Sequence, residues 1–175
     1  MRREVRTALG ALLAVGIALA VSTPAGAQTS GNETFNDVIV TSGLSGTRVV
    51  VSSVVRAKGV FTGVGRIVEI PNLPGDPDNV NRDDLVFADG SMHLISTIQD
   101  ASFSLNPQSC IASFTVQQTG AVVGGTGRFA AASGSFVGTA TGRALAGRNP
   151  DGSCALEQAA LHEVDMIASS GTLSF

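Results

Sequence analysis

The chain has 175 residues, 11 of them Lys or Arg and 14 Asp or Glu, for a formal net charge of −3. An acidic chain has no electrostatic footprint for phosphate backbones or anionic lipid, so nucleic acid is not an expected partner. Trp and Tyr are both absent, which removes the usual flat platforms for stacking bases and weakens a carbohydrate-binding reading in the same way.

At the N-terminus, Arg2, Arg3 and Arg6 form a positive head and Ala8 to Val21 is an unbroken run of apolar and small residues. Ala25-Gly26-Ala27 then supplies the small residues that a signal peptidase needs. The run is shorter than the roughly 20 residues of a membrane span and stops at Pro24. Residues 1–27 are therefore expected to be a cleaved secretory signal, giving a secreted protein that starts at Gln28 and has no membrane span. Loss of that segment removes three arginines and Glu4, leaving 8 basic against 13 acidic side chains, a net of −5.

What remains, 28–175, is one domain's worth of chain, enough to bury a core without a second domain. It reads as β almost throughout. Val38-Ile39-Val40, Val49-Val50-Val51, Val54-Val55, Ile67-Val68 and Leu85-Val86-Phe87 are short β-branched or aromatic clusters. Met92 to Ile98, Ile111 to Val116, Phe136 to Thr141 and Val164 to Ile167 continue the series. Turn signals stand at Ser42-Gly43, Lys58-Gly59, Asp89-Gly90, Thr119-Gly120, Asp151-Gly152 and Ser170-Gly171. Asp89-Gly90 is the strongest of these, a two-residue hairpin signal between Phe87 and Met92. Ala155 to Asp165 can be drawn as a helix or as the approach to a strand. Short strands at near-regular spacing suit a sandwich or a closed barrel, and periodicity does not choose between them.

Cys110 and Cys154 are the only cysteines. They lack the Cys-x-x-Cys spacing of a redox pair, and an oxidising compartment favours joining them as a structural disulfide.

The densest motif is Gly124-Gly125-Thr126-Gly127-Arg128-Phe129-Ala130-Ala131-Ala132-Ser133-Gly134. Its glycines suit a tight turn and close backbone approach, and Phe129 is a single aromatic anchor. A phosphate-cradling loop is not expected, because no Gly-Lys-Ser/Thr follows. Gly63-Val64-Gly65-Arg66 echoes Gly125-Thr126-Gly127-Arg128 as a β turn with an outward arginine. The motif resembles the glycine-rich signature of the allene oxide cyclase-like and dirigent-like barrels. The resemblance is specific at Gly124, Gly125, Thr126, Gly127, Phe129 and Gly134, and extends in layout over 33–175. It implies a single all-β domain, an eight-stranded antiparallel β-barrel with a hydrophobic cavity, often a homotrimer. It also implies that the motif is structural, with Phe129 plugging one end of the barrel. Allene oxide cyclases steer a fatty-acid epoxide with a carboxylate, a water and apolar walls, whereas dirigent barrels steer phenoxy radicals. No residue of this chain aligns onto those functional positions.

Among chemistry-bearing residues, Asp76-Pro77-Asp78-Asn79-Val80-Asn81-Arg82-Asp83-Asp84 is rich in oxygen ligands. It lacks the calcium-loop order and includes Arg82, so a solvated connection is expected and no metal is assigned. His93 and His162 lie on strand-like segments too far apart in sequence to be a metal signature. No Gly-x-Ser-x-Gly elbow is present. His162, Glu163 and Asp165 are expected to face solvent. Glu69, in Arg66-Ile67-Val68-Glu69-Ile70, is the acid–base candidate. If Ile67 points inward, Glu69 lines the cavity; if Val68 and Ile70 do, it is solvated. No cofactor is expected. The first functional reading is a secreted barrel that binds a small hydrophobic molecule. The alternatives are a cyclase, isomerase or dirigent-like enzyme, and an extracellular interaction module. A cavity holding a buried ionisable group distinguishes the enzyme from the carrier.

Overall fold

The computed structural model describes residues 28–175; the expected signal segment, 1–27, lies outside the described residues. Eight long strands close into a barrel: β1 (Ser30–Ser42), β2 (Val49–Gly59), β3 (Thr62–Ile70), β4 (Val80–Phe87), β5 (Gly90–Asn106), β6 (Ile111–Gly125), β7 (Ser133–Leu145) and β10 (His162–Ser174). The order around the barrel is β1-β10-β7-β6-β5-β4-β3-β2, every pair antiparallel. Two further strands of two residues each, β8 (Gly147–Arg148) and β9 (Cys154–Ala155), form a ribbon in the β7–β10 connection. No helix among the described residues is long and apolar enough to cross a membrane. The eight-stranded antiparallel barrel expected from the resemblance is the fold.

Alternation along each strand decides what fills the interior. On β1, Glu33, Phe35, Asp37, Ile39 and Thr41 are buried, while Asn36 and Val38 are exposed. On β3, Ile67 is buried and Val64 and Arg66 are exposed, so the inward parity is that of Ile67 and Glu69. The valine clusters at 49–51 and 54–55 belong to one strand, β2. Between them, Ser53 turns its hydroxyl to the backbone of Ile67, accepting from the N–H at 3.0 Å and donating to the C=O at 2.8 Å. Of the six turn signals, Thr119-Gly120 and Ser170-Gly171 are strand interior instead. Both glycines are inward positions, and a Cβ on Gly171 would run into the Ser135 carbonyl. Residues 156–161 are irregular and His162 opens β10, which settles the 155–165 stretch in favour of the strand.

The two ends of the barrel differ. One is floored by aromatic rings: Phe129 is fully buried, 5.0 Å from Phe61, 5.2 Å from Phe175 and 5.9 Å from Phe87 between centroids. Arg128 lies over the Phe175 ring at 4.9 Å and the Phe61 ring at 5.5 Å, covering the cluster from outside. The glycine motif makes this floor possible. Gly127 has φ 57°, and a side chain there would strike the Asp89 carbonyl. That close approach lets Arg128 N–H reach the Asp89 carbonyl at 3.0 Å and Thr126 N–H the Ser91 carbonyl at 2.8 Å. The motif is thereby stitched to the Asp89-Gly90 turn. Glu33 is 1% exposed beside the floor and accepts the Phe61 N–H at 2.8 Å and the Thr34 N–H at 3.2 Å, fixing the β2–β3 turn that delivers Phe61. Burial pushes its pKa up, against the pull of those donors.

At the other end lie the longer connections, 43–48, 71–79 and 146–161, together with the short β5–β6 turn. Cys110 and Cys154 are bonded, with Cα atoms 5.4 Å apart, and tie that β5–β6 turn to the β8–β9 ribbon. Closing 44 residues is worth about 4 kcal/mol by chain entropy.

Replacing Phe129 by Ala removes the central ring of the floor. Denaturant unfolding is expected to show a loss of about 3–5 kcal/mol, the range for a fully buried Phe.

Candidate functional site

Between floor and mouth the barrel encloses a cavity of about 630 Å³. Its deep wall is apolar: Phe35 and Phe136, with ring centroids 5.1 Å apart, and Ile39, Ile67, Leu85 and Ile167. Eight strands give an interior just wide enough to be filled by side chains or to hold one small ligand. Small residues make the difference here. On β7 the inward run is Phe136, Gly138, Ala140 and Gly142, and on β6 it includes Gly120. A Cβ on Gly142 would collide with Phe114 and with the Asp165 carboxylate at 2.5 Å, so that glycine makes room for an acid inside the barrel.

Five carboxyl side chains face this space from four strands: Asp37 on β1, Glu69 on β3, Asp83 on β4, and Glu163 and Asp165 on β10. The expectation that Glu163 and Asp165 face solvent is overturned: Asp165 is 8% exposed, and both share the inward parity of Ile167 and Leu173. His162 is exposed, as expected. Arg48, at the end of the β1–β2 connection, reaches over the group from the mouth. Its Nη1 donates to both oxygens of Glu69 at 2.7 Å, while Nη2 stands 3.8 Å from Glu163 and 3.9 Å from Asp165. Glu69 thus lines the cavity on the Ile67 side of the parity question, held by a bidentate ion pair.

Burial perturbs three of these groups, Asp37, Asp83 and Asp165. Asp37 is 7% exposed, and burial, with a smaller contribution from Asp83 across the cavity, raises its pKa to about 7. Burial and neighbouring Glu163 raise Asp165 to about 7. Burial and Glu69 bring Asp83 to about 6. One oxygen each of Asp37 and Asp165, Oδ1 in both, is buried with no hydrogen-bond partner among the described residues. Carboxyls of this kind exchange protons near neutral pH and present hydrogen-bonding groups that the protein itself leaves open.

Other expected residues fall outside the cavity chemistry. Asp76 is bound by Arg82, with Nε to Oδ2 at 2.7 Å and Nη2 to Oδ1 at 3.0 Å, and also accepts the Leu73 N–H at 2.7 Å. The Arg82 bond draws its pKa down to about 2. The 71–79 connection is therefore braced at the rim by an internal ion pair, and Asp83 and Asp84 leave it on opposite faces of β4. Asp84 meets His93 Nδ1 at 2.6 Å across β4 and β5, on the outer surface. No group of three His, Cys, Asp or Glu stands at metal-holding distance among the described residues. Comparisons of the chain with known protein families, curated proteins and solved structures find no match.

Sequence reasoning passed over Asp37. Its signal was present in Phe35-Asn36-Asp37-Val38-Ile39, which in a strand sets the carboxylate between two large apolar residues on one face.

The raised pKa of Asp37 means that the folded state favours its protonated form. The associated stability is complete below the ordinary carboxylate pKa and is lost as pH rises through about 7. Asp37→Asn is accordingly expected to raise unfolding free energy by about 2 kcal/mol at pH 8 and by almost nothing at pH 4, read from urea titrations at both pH values.

Proposed function

We propose that the protein binds a small, largely apolar molecule inside its barrel. The observation that carries this reading is the cavity itself: about 630 Å³, floored and walled by Phe, Ile and Leu, in a fold whose interior side chains can fill completely. Gly120, Gly138, Ala140 and Gly142 stand at inward positions where larger side chains would take up that space. A solid interaction module would have no use for so much small-residue lining. The glycine-rich motif around Phe129 and the eight-stranded barrel support placing the chain with the allene oxide cyclase-like and dirigent-like barrels, and on that likeness a homotrimer. The apolar N-terminal run and the disulfide support a secreted protein.

A second reading has a specific observation in its favour. Ionisable groups are buried in the cavity, and Asp37 and Asp165 both titrate near 7. A carboxyl with its pKa at the working pH is suited to move a proton to or from a bound guest. In an isomerase or cyclase of this design, Asp37 and Asp165 would be the acid–base pair. Glu69 would position Arg48, in place of the catalytic role expected for it.

Nile red, a neutral apolar dye, tests the binding reading directly. Its fluorescence is expected to rise and shift to the blue with saturable binding at one site per chain. Ala140→Phe, which puts a ring into the cavity from β7, is expected to weaken binding more than ten-fold while circular dichroism stays unchanged. A dye that binds both proteins equally is not in the barrel.

A further inference from the structure

The carboxyl group at the mouth contains more negative charge than the protein neutralises. Five acids face one guanidinium, Arg48, and that guanidinium is already engaged through both Glu69 oxygens. Arg82, the other cation at the rim, is engaged with Asp76 in the same way. An anionic guest would therefore meet acids with no free cation among the described residues of the lining to receive it. A neutral hydroxyl would offer one donor, whereas an ammonium offers three.

Position adds to charge. In the β1–β10 register Asp37 faces Ile167 and Ile39 faces Asp165, so the two aspartates are diagonal neighbours on the inner face. Diagonal positions lie about 7–8 Å apart along the backbone, a span that two short carboxylates can close around one small cation. Their unpartnered oxygens are both buried, on residues 7% and 8% exposed, beside the apolar wall formed by Ile39 and Ile167. Among the described residues no group of three potential ligands stands at metal-holding distance, and the arrangement suits an organic cation better than a metal ion.

We propose that the guest is a primary amine: an apolar body in the Phe35–Phe136 cavity, with its ammonium held between Asp37 and Asp165. This rests on the reading that the cavity binds a small apolar molecule, and adds the chemical class of the head group. Charge-assisted hydrogen bonds to these two cavity-lining carboxylates hold the ammonium. The groups facing the ammonium are Asp37 from β1, Glu163 and Asp165 from β10, Asp83 from β4, Glu69 from β3 and Arg48 from the β1–β2 connection. Acidification protonates the aspartates and removes the attraction, while leaving a neutral guest unaffected.

Calorimetric titration of the protein with adamantylamine, adamantanol and adamantanecarboxylate at pH 8 isolates the head group on one apolar body. The amine is expected to bind at least ten-fold more tightly than the alcohol, with the carboxylate weakest, and the advantage of the amine is expected to vanish at pH 5. Asp37→Asn combined with Asp165→Asn is expected to erase that advantage at pH 8 while circular dichroism stays unchanged. Equal binding of amine and alcohol, or an amine preference that survives in the double variant, overturns the head-group assignment and leaves the cavity reading standing. If none of the three probes binds and Nile red does not bind either, both fall.

Discussion

Everything inside this molecule depends on the pairing of β1 with β10. Thirteen consecutive residue pairs, from Ser30 with Ser174 to Ser42 with His162, join the first long strand to the last and close the sheet on itself. Closure removes the two edges that an open sheet would expose. It also commits every strand to one choice of inner face, since a strand slipped by a single residue would turn its whole inward set to solvent. Because Phe35 faces inward, so do Asp37 and Ile39; because Leu173 does, so do Ile167 and Asp165. The acids are carried into the barrel by the same parity that buries the apolar residues.

The interior is consequently a compromise between cohesion and reactivity. At the floor, ring packing and a covering arginine concentrate the favourable contacts, and Glu33 there has backbone donors to satisfy it. Higher up, glycine and alanine give away packing, and Asp37 and Asp165 are kept in a place that resists their ionisation. Such groups lower stability at neutral pH, and groups of this kind cluster at functional sites. The disulfide lies at this less cohesive end, where it braces the β5–β6 turn and the β8–β9 ribbon against the barrel.

Much of this was legible in the chain and some was not, for physical reasons that differ by residue. Strand clusters announced themselves through β-branched runs, and Asp89-Gly90 announced its hairpin, because both signals are local. Phe129 as a plug came through the glycine motif around it. Gly120 and Gly171 misled, since a glycine inside a strand looks in sequence like one that makes a turn. Glu69 drew attention because Ile67, Val68 and Ile70 crowd it, yet its partner Arg48 is 21 residues away and only the fold brings them together. Asp165 looked solvated because Glu163 stands two residues before it, and a pair of acids on one face ordinarily marks the wet side. What reversed that reading is non-local: a glycine on β7 leaves the space in which the acid and a phenylalanine from β6 sit.

The aromatic floor has a consequence for traffic. With Phe61, Phe87, Phe129 and Phe175 sealing one end, the barrel is a cul-de-sac, not a conduit. Whatever enters past Arg48 must back out along the same route, so a newcomer cannot push the occupant through. For the proposed guest, turnover would then be limited by departure, and the residence time of one molecule would set the waiting time of the next.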